Sequence, residues 1–318
     1  MKQNSTELLP IDLVYLWVDG NDPAWRAKRD KTIGRTEERS AVNCDGRYAS
    51  HDELLYSLRS AEQYAPWLRR IYIVTDGQIP AWLDTTNPKV RIVDHKEIMP
   101  AEALPCFNSS VIEHFLWRIP GLSERFLYAN DDMYFGRPVE PGDFFAPDGM
   151  PYIRENRRPL RRQLLWLKSR LSGKKMSHYN RIVQNGAELV RARYGKYYGA
   201  KAHHNIDAYL RSDCEATFNE FIDSLQPTFA NHVRQDNDVQ RSLYSYAAMA
   251  RQRAHPLYVD QHTSLRVHIQ NPRHYDKLRT YTPMFFCMND SEYATEADRL
   301  HSKEYLAERF PQKSKFEK

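Results

Sequence analysis

Cysteine is scarce. The 318-residue chain has four, Cys44, Cys106, Cys214 and Cys287, far apart and with no C-x-x-C pair among them. That spacing argues against a disulfide framework or a zinc site, and reads as reduced, mostly buried thiols of a cytosolic protein. Long apolar runs are missing too. No stretch approaches the length of a membrane span, and the polar start MKQNSTELLP carries no signal-peptide core, so the cytoplasm is the expected compartment. There is no internal repeat, no low-complexity linker and no basic tail. The net charge of +5 is mild and comes from scattered arginines. It permits a phosphate-bearing partner, and no nucleic-acid partner is expected.

What remains is an ordinary globular composition, 41% hydrophobic and 27% charged, in a chain long enough to bury a large core. Over residues 1–150, strand-like and helix-like segments alternate. IDLVYLWV (11–18), IYIV (71–74), VRIV (90–93) and FLYA (126–129) read as strands, three of them running into Asp-containing turns. DELLYSLRSAEQY (52–64) places Leu54, Leu55, Leu58 and Ala61 at helical spacing. Ser110 and Glu113 fit a capping box that opens VIEHFLWRI, a helix stopped by Pro120-Gly121. The alternation predicts an α/β fold with a mainly parallel sheet.

Residues 151–318 read as a helical elaboration that completes the site and the acceptor surface, with no composition break to separate it from the core. One integrated catalytic domain is therefore expected. Helical patterns cover about 204–224 and 236–253, and SKEYLAERF forms another near the end. The segment 157–171 carries Arg157, Arg158, Arg161 and Arg162 opposite an apolar stripe. Its plainer reading is a surface helix packed onto the core; the alternative is a face for a membrane surface or an anionic polymer acceptor. A membrane-facing role would make the protein peripheral at the inner face of the plasma membrane.

The stretch FLYANDDMYFG (126–136) holds the sharpest signal. Adjacent carboxylates repel, and are costly to desolvate unless a cation or hydrogen-bond donors compensate them. Asp19 and Asp22 in VDGNDP and Asp76 in TDGQIP occupy the same place after earlier strands. A single Asp-Gly turn is more often just a turn. Three on successive strands point to one crevice, because ligands of open α/β sheets bind beyond the carboxyl ends of the strands. Oxygen ligands with no nearby Cys or His favour Mg²⁺ or Mn²⁺ over zinc, and such an ion suits a nucleotide-diphosphate donor. His203 and His204 precede one helix, and Arg234 precedes another with Asp236 as its N-cap. Alone these read as solvated or acid-paired, yet phosphoryl chemistry requires cationic donors.

Several strings together resemble one family. IDLVYLWVDGNDPAW is similar to the first conserved region of the Stealth proteins. RYASHDELLYSLRSAEQYAPWLRRIYIVTDGQIPAWL, followed by VRIVDHKEIMP, LPCFNSSVIEH and IPGLSERFLYANDDMYFG, resembles the second. AKAHHN with HVRQDNDVQRSLYSY resembles the third, and FFCMNDSEY the fourth. Leu16 and Ser50 depart from that pattern, which more often has Thr and Asp there.

The resemblance implies a nucleotide-diphospho-sugar-transferase-like (GT-A or Rossmann-like) fold. It also implies transfer of a hexose-1-phosphate or N-acetylhexosamine-1-phosphate from a nucleotide sugar such as UDP-GlcNAc to a saccharide or polysaccharide hydroxyl. The product would be a phosphodiester of a capsular or surface polysaccharide, with a nucleoside monophosphate released and Mg²⁺ or Mn²⁺ as cofactor. By motif, the catalytic residues would be Asp132, His203 and Arg234, with the choice between His203 and His204 open. Trp17, Asp19, Gly20, Asp22, Asp76, Gln78, Asn108, Ser109 and Asn130 would bind the nucleotide sugar. Asp131, Asp132 and Asp290 would hold the metal. The competing expectations are a conventional metal-dependent glycosyltransferase releasing a nucleoside diphosphate, and a non-catalytic carbohydrate-binding relative.

Overall fold

The computed structural model describes residues 9–33, 48, 50–156, 176–291 and 293–318. The basic segment 157–171 and Cys44 lie outside the described residues.

The four strand-like runs become β1 (Ile11–Leu16), β2 (Ile71–Thr75), β3 (Val90–Asp94) and β4 (Arg125–Asn130). They are parallel, and β1 lies between β2 and β4. All six β1 residues are buried, because a central strand covered on both faces has no solvent side. The period of two sorts its side chains. Leu13 and Tyr15 pack with Leu54, Leu58 and Ala61 of the helix Glu53–Tyr64, while Val14 and Leu16 join the opposite core with Tyr72, Val74 and Tyr128.

β5 (Met133–Phe135) follows the Asn-Asp-Asp turn directly. The second half of the chain supplies further strands that no sequence pattern announced. These are β6 (Tyr152–Asn156), β7 (Lys201–Ala202), β8 (Asp207–Leu210), β9 (His255–Tyr258), β10 (Ser264–His268) and β11 (Phe285–Asn289). Their brevity is the reason: most span too few residues for a period to show. β8 adds antiparallel to β4 and completes a five-stranded sheet of order β3-β2-β1-β4-β8. β11 pairs antiparallel with β5 and parallel with β10, and β6 joins β7 and β9 in a third sheet.

The order β3-β2-β1-β4 makes the chain cross back over β1 after β3. That crossing puts the topological switch point between β1 and β4, and open α/β sheets bind ligands beyond the carboxyl ends of the strands at such a point. Helices His178–Tyr194, Arg211–Phe229 and Ser242–Ala250 cover the sheet on the Tyr128 side. No helix among the described residues is long and apolar enough to cross a membrane.

Two local expectations change. Asn108, not Ser110, caps the helical turn Ser109–Ile112, its side chain accepting from the Ser110 N–H at 3.1 Å. Glu113 therefore does not reach back to a cap; it is buried against Arg241 and Tyr128. Asp236 caps no helix, and is 65% exposed beside His178 and Arg181.

Candidate active site

The turn after β1 is held mostly by its own hydrogen bonds. The Asp19 carboxylate accepts from the Asn21 N–H at 2.9 Å, and Asp22 accepts from the Ala24 N–H at 2.9 Å, at the start of the helix Pro23–Ile33. Gln78 staples this loop to the turn after β2. Its oxygen takes the Asp19 N–H at 3.0 Å, and its amide nitrogen donates to the Asp19 carbonyl and to Asp22 at 2.9 Å. The bonds from Gln78 and Ala24 keep the Asp22 carboxyl below its usual range. Gly20 is a matter of space: a Cβ there would lie 2.1 Å from the Tyr48 carbonyl oxygen. Trp17 is only 9% exposed and packs in the core, while Asp76 pairs with Lys28 at 2.6 Å. Each of these residues, expected to cradle a nucleotide, thus also has a partner or packing contact within the protein.

The turn after β4 is different. Asp131 and Asp132 are joined there by Glu53, which opens the helix packed on β5. Burial, then the charges of Asp132 and Glu53, hold Asp131 well above the ordinary carboxyl range. Burial, reinforced by Asp132 and Asp290, pushes Glu53 up to about 7. Asp290 lies on the same side but is partnered by Arg299 at 2.7 Å and by the Ser291 N–H. The Tyr134 hydroxyl is fully buried, feels the charges of Glu53, Asp132 and Asp131, and has no hydrogen-bond partner among the described residues. An orphaned buried hydroxyl within crowded carboxylates is what a bound cation and its water would satisfy. Asp131, Asp132 and Glu53 thus lie in one another's electrostatic field, and carboxylate oxygens are the donor type a hard divalent ion takes. Glu53 was not singled out in the sequence, where HDE reads only as a helix opening.

The pairing of β11 with β5 brings further residues to this turn. Met288 N–H donates to the Asp132 carbonyl at 2.9 Å, and the Cys287 thiol donates to Asp132 Oδ2 at 3.2 Å. His204 completes the group: one ligand atom each from Asp132, His204 and Cys287 lie within 4.8 Å of one another. The expectation of carboxylates without nearby Cys or His is overturned, because strands 150 residues apart in the chain meet here.

The two histidines have separate places. His203 is 1% exposed, with one ring nitrogen 3.0 Å from Ser264 Oγ and the other 3.1 Å from Asp207. Burial holds it below the usual imidazole range in spite of Asp207. The geometry brings His204, not His203, to Asp132. Behind both runs a buried polar chain. Asp207 accepts from Arg241 at 2.8 Å, Arg241 meets Glu113 at 3.2 Å, and Tyr128 shares its proton between Glu113 at 2.9 Å and Asn130 at 2.6 Å. Asn130 is therefore tied to the strand beneath it.

Arg234 donates to the hydroxyls of Tyr48 at 3.2 Å and Ser109 at 3.4 Å, with its guanidinium 5.3 Å above the Tyr48 ring. Asn108 stands behind it, fully buried, donating to Asp238 at 2.9 Å and to the Val233 carbonyl. Asn108 thus shapes the Arg234 loop from inside, while Ser109 and Arg234 meet directly.

Comparison with known proteins adds the following. Residues 9–37 match the model of Stealth protein CR1, conserved region 1, and residues 47–153 match Stealth protein CR2, conserved region 2. An exopolysaccharide phosphotransferase of Streptomyces coelicolor is 42% identical over 255 residues, covering 78% of this chain and 41% of its own. The exopolysaccharide phosphotransferase CpsY of Mycobacterium tuberculosis is 33% identical, covering 99% of this chain and 59% of its own. The chain thus spans about half the length of the curated relatives it matches. Among solved structures, the galactosyltransferase LgtC with donor and acceptor sugar analogues overlaps 94% of this chain and 95% of its own, at 10% identity and a TM-score of 0.46.

Proposed function

Because the chain belongs to the Stealth family, we propose that its crevice transfers a sugar-1-phosphate from a nucleotide sugar to a hydroxyl of a growing exopolysaccharide. The observation that carries this reading is the meeting of Asp132 and His204 at the switch point, amid carboxylates that are crowded and only half-buried. Its relatives bear the name exopolysaccharide phosphotransferase, which agrees with that chemistry.

In the proposed step the acceptor oxygen attacks the phosphorus nearer the sugar. Its proton passes to His204, with Asp132 orienting the imidazole. The bond from that phosphorus to the bridging oxygen breaks, and the electron pair leaves with the nucleoside monophosphate. The sugar C–O bond is untouched, so the anomeric configuration of the donor is kept. Arg234, braced by Tyr48 and Ser109, would sit against phosphoryl oxygens as negative charge grows on them. A divalent ion held by Asp131, Asp132 and Glu53 would supply charge neutralisation for the pyrophosphate.

The test is a panel of nucleotide sugars with Mg²⁺ and short saccharide acceptors, reading the released nucleotide and the phosphorus NMR of the product. Release of nucleoside monophosphate with a phosphodiester signal is expected. Release of nucleoside diphosphate would replace this reading with a conventional glycosyltransferase.

A further inference from the structure

The chemistry above uses Asp132 and His204 but leaves the third member of their cluster, Cys287, without a role. Magnesium rarely takes nitrogen or sulfur, whereas a carboxylate, an imidazole and a thiolate together suit a thiophilic transition-metal ion. Bonds of about 2.0 to 2.3 Å at tetrahedral angles place ligand atoms about 3.4 to 3.6 Å apart. Here Cys287 Sγ lies 3.2 Å from Asp132 Oδ2, and the most distant pair of the three lies within 4.8 Å. Closing that gap takes a side-chain adjustment of about 1 Å on these bond lengths.

The backbone holds the geometry from below, since Met133 pairs with Cys287 across β5 and β11.

We propose that Asp132, His204 and Cys287 form a binding site for a zinc-class ion, and that its occupancy removes Asp132 and His204 from phosphoryl transfer. Binding exchanges the thiol proton for the metal. The inhibitory half of the proposal rests on the transferase reading above; the binding half does not.

The test is optical titration of the reduced protein with Co²⁺. A thiolate-to-cobalt charge-transfer absorption and intense visible bands of a four-coordinate ion are expected. Cys287→Ser should remove the charge-transfer band and weaken binding at least ~10-fold, since even outer-shell changes cost about 10- to 100-fold. Cys44→Ser should leave the band in place. Cadmium NMR of the unaltered protein reports a bound thiolate without recourse to any variant. No charge-transfer band at saturating Co²⁺, or a band that survives Cys287→Ser, overturns the proposal. In the transferase assay, Zn²⁺ added over excess Mg²⁺ should inhibit, and Cys287→Ser should raise the inhibitory concentration at least ~10-fold. Inhibition that is unchanged in Cys287→Ser also overturns it. If no nucleotide sugar is turned over, the transferase reading fails while the cobalt titration still decides the metal site.

Discussion

Two acidic turns stand side by side at the carboxyl ends of β1 and β4, and they are physically opposite. After β1, Asp19 and Asp22 accept hydrogen bonds from the Asn21 and Ala24 N–H groups and from Gln78, and Asp22 is stabilised as an anion. After β4, Asp131 is pressed against Asp132 and Glu53 and its ionised form is disfavoured. The first turn has found its partners within the protein. The second crowds like charges, and perturbed carboxyls of this kind collect in functional sites. Identical residue types therefore have different roles because of what the fold places around them.

The comparison breaks most sharply at Asp132. Asp132→Asn should lower turnover by about 10²- to 10³-fold, read as released nucleotide, with the fold intact by circular dichroism. Near-normal turnover in a folded variant would remove Asp132 from the mechanism. Its neighbour gives the thermodynamic counterpart. Asp131→Asn relieves like-charge crowding, so without added cation the variant should melt higher than the parent at neutral pH. With Mg²⁺ the parent should gain more stability than the variant.

The histidine pair sharpens the same contrast. His204→Asn should cost about 10²- to 10⁴-fold in turnover with little change in melting temperature. His203→Ala should instead destabilise the fold by roughly 1 to 3 kcal/mol, because Asp207 and Ser264 lose a buried partner. Reversal of these two outcomes would return the role to His203.

Acid stability tests the core behind β4. Burial lowers His114 from 6.5 to about 4, where it donates to the Val239 carbonyl and accepts from the Tyr244 hydroxyl. The neutral ring belongs to the folded state. Its contribution is therefore present above about pH 6.5 and is lost as pH falls through about 4, on the order of 3 kcal/mol in all. His114→Gln should flatten that part of the stability profile in denaturant titrations. The smallest effect is expected at Asp22→Ala, a modest drop in melting temperature from the lost contacts to Gln78 and Ala24, with turnover changing far less than in Asp132→Asn.

The parallel strands were legible because a strand covered on both faces must be apolar along its length, and β1, β2, β3 and β4 lie within two residues of the runs read from sequence. The acidic turns were legible for a related reason, since carboxylates at strand ends break such runs abruptly. The close approach of the Tyr48 carbonyl to Gly20 is a packing constraint that no local pattern reveals. Glu113 was read as a cap, and burial beside Arg241 decided otherwise. The short strands of the second half were illegible, because a strand such as Lys201–Ala202 has no periodicity to detect.

By itself, then, the sequence determined a parallel α/β core with carboxylates at its strand ends, because hydrophobic runs and their interruptions are local properties. Only the tertiary structure decided which carboxylates are stabilised as anions and which are crowded by like charge. That depends on long-range pairings, above all of β5 with β11, which bring Cys287 to Asp132 and set Tyr134 within the field of Glu53. The distinction between His203 and His204 has the same origin: adjacent side chains point to different surroundings, and only the packed fold supplies those surroundings.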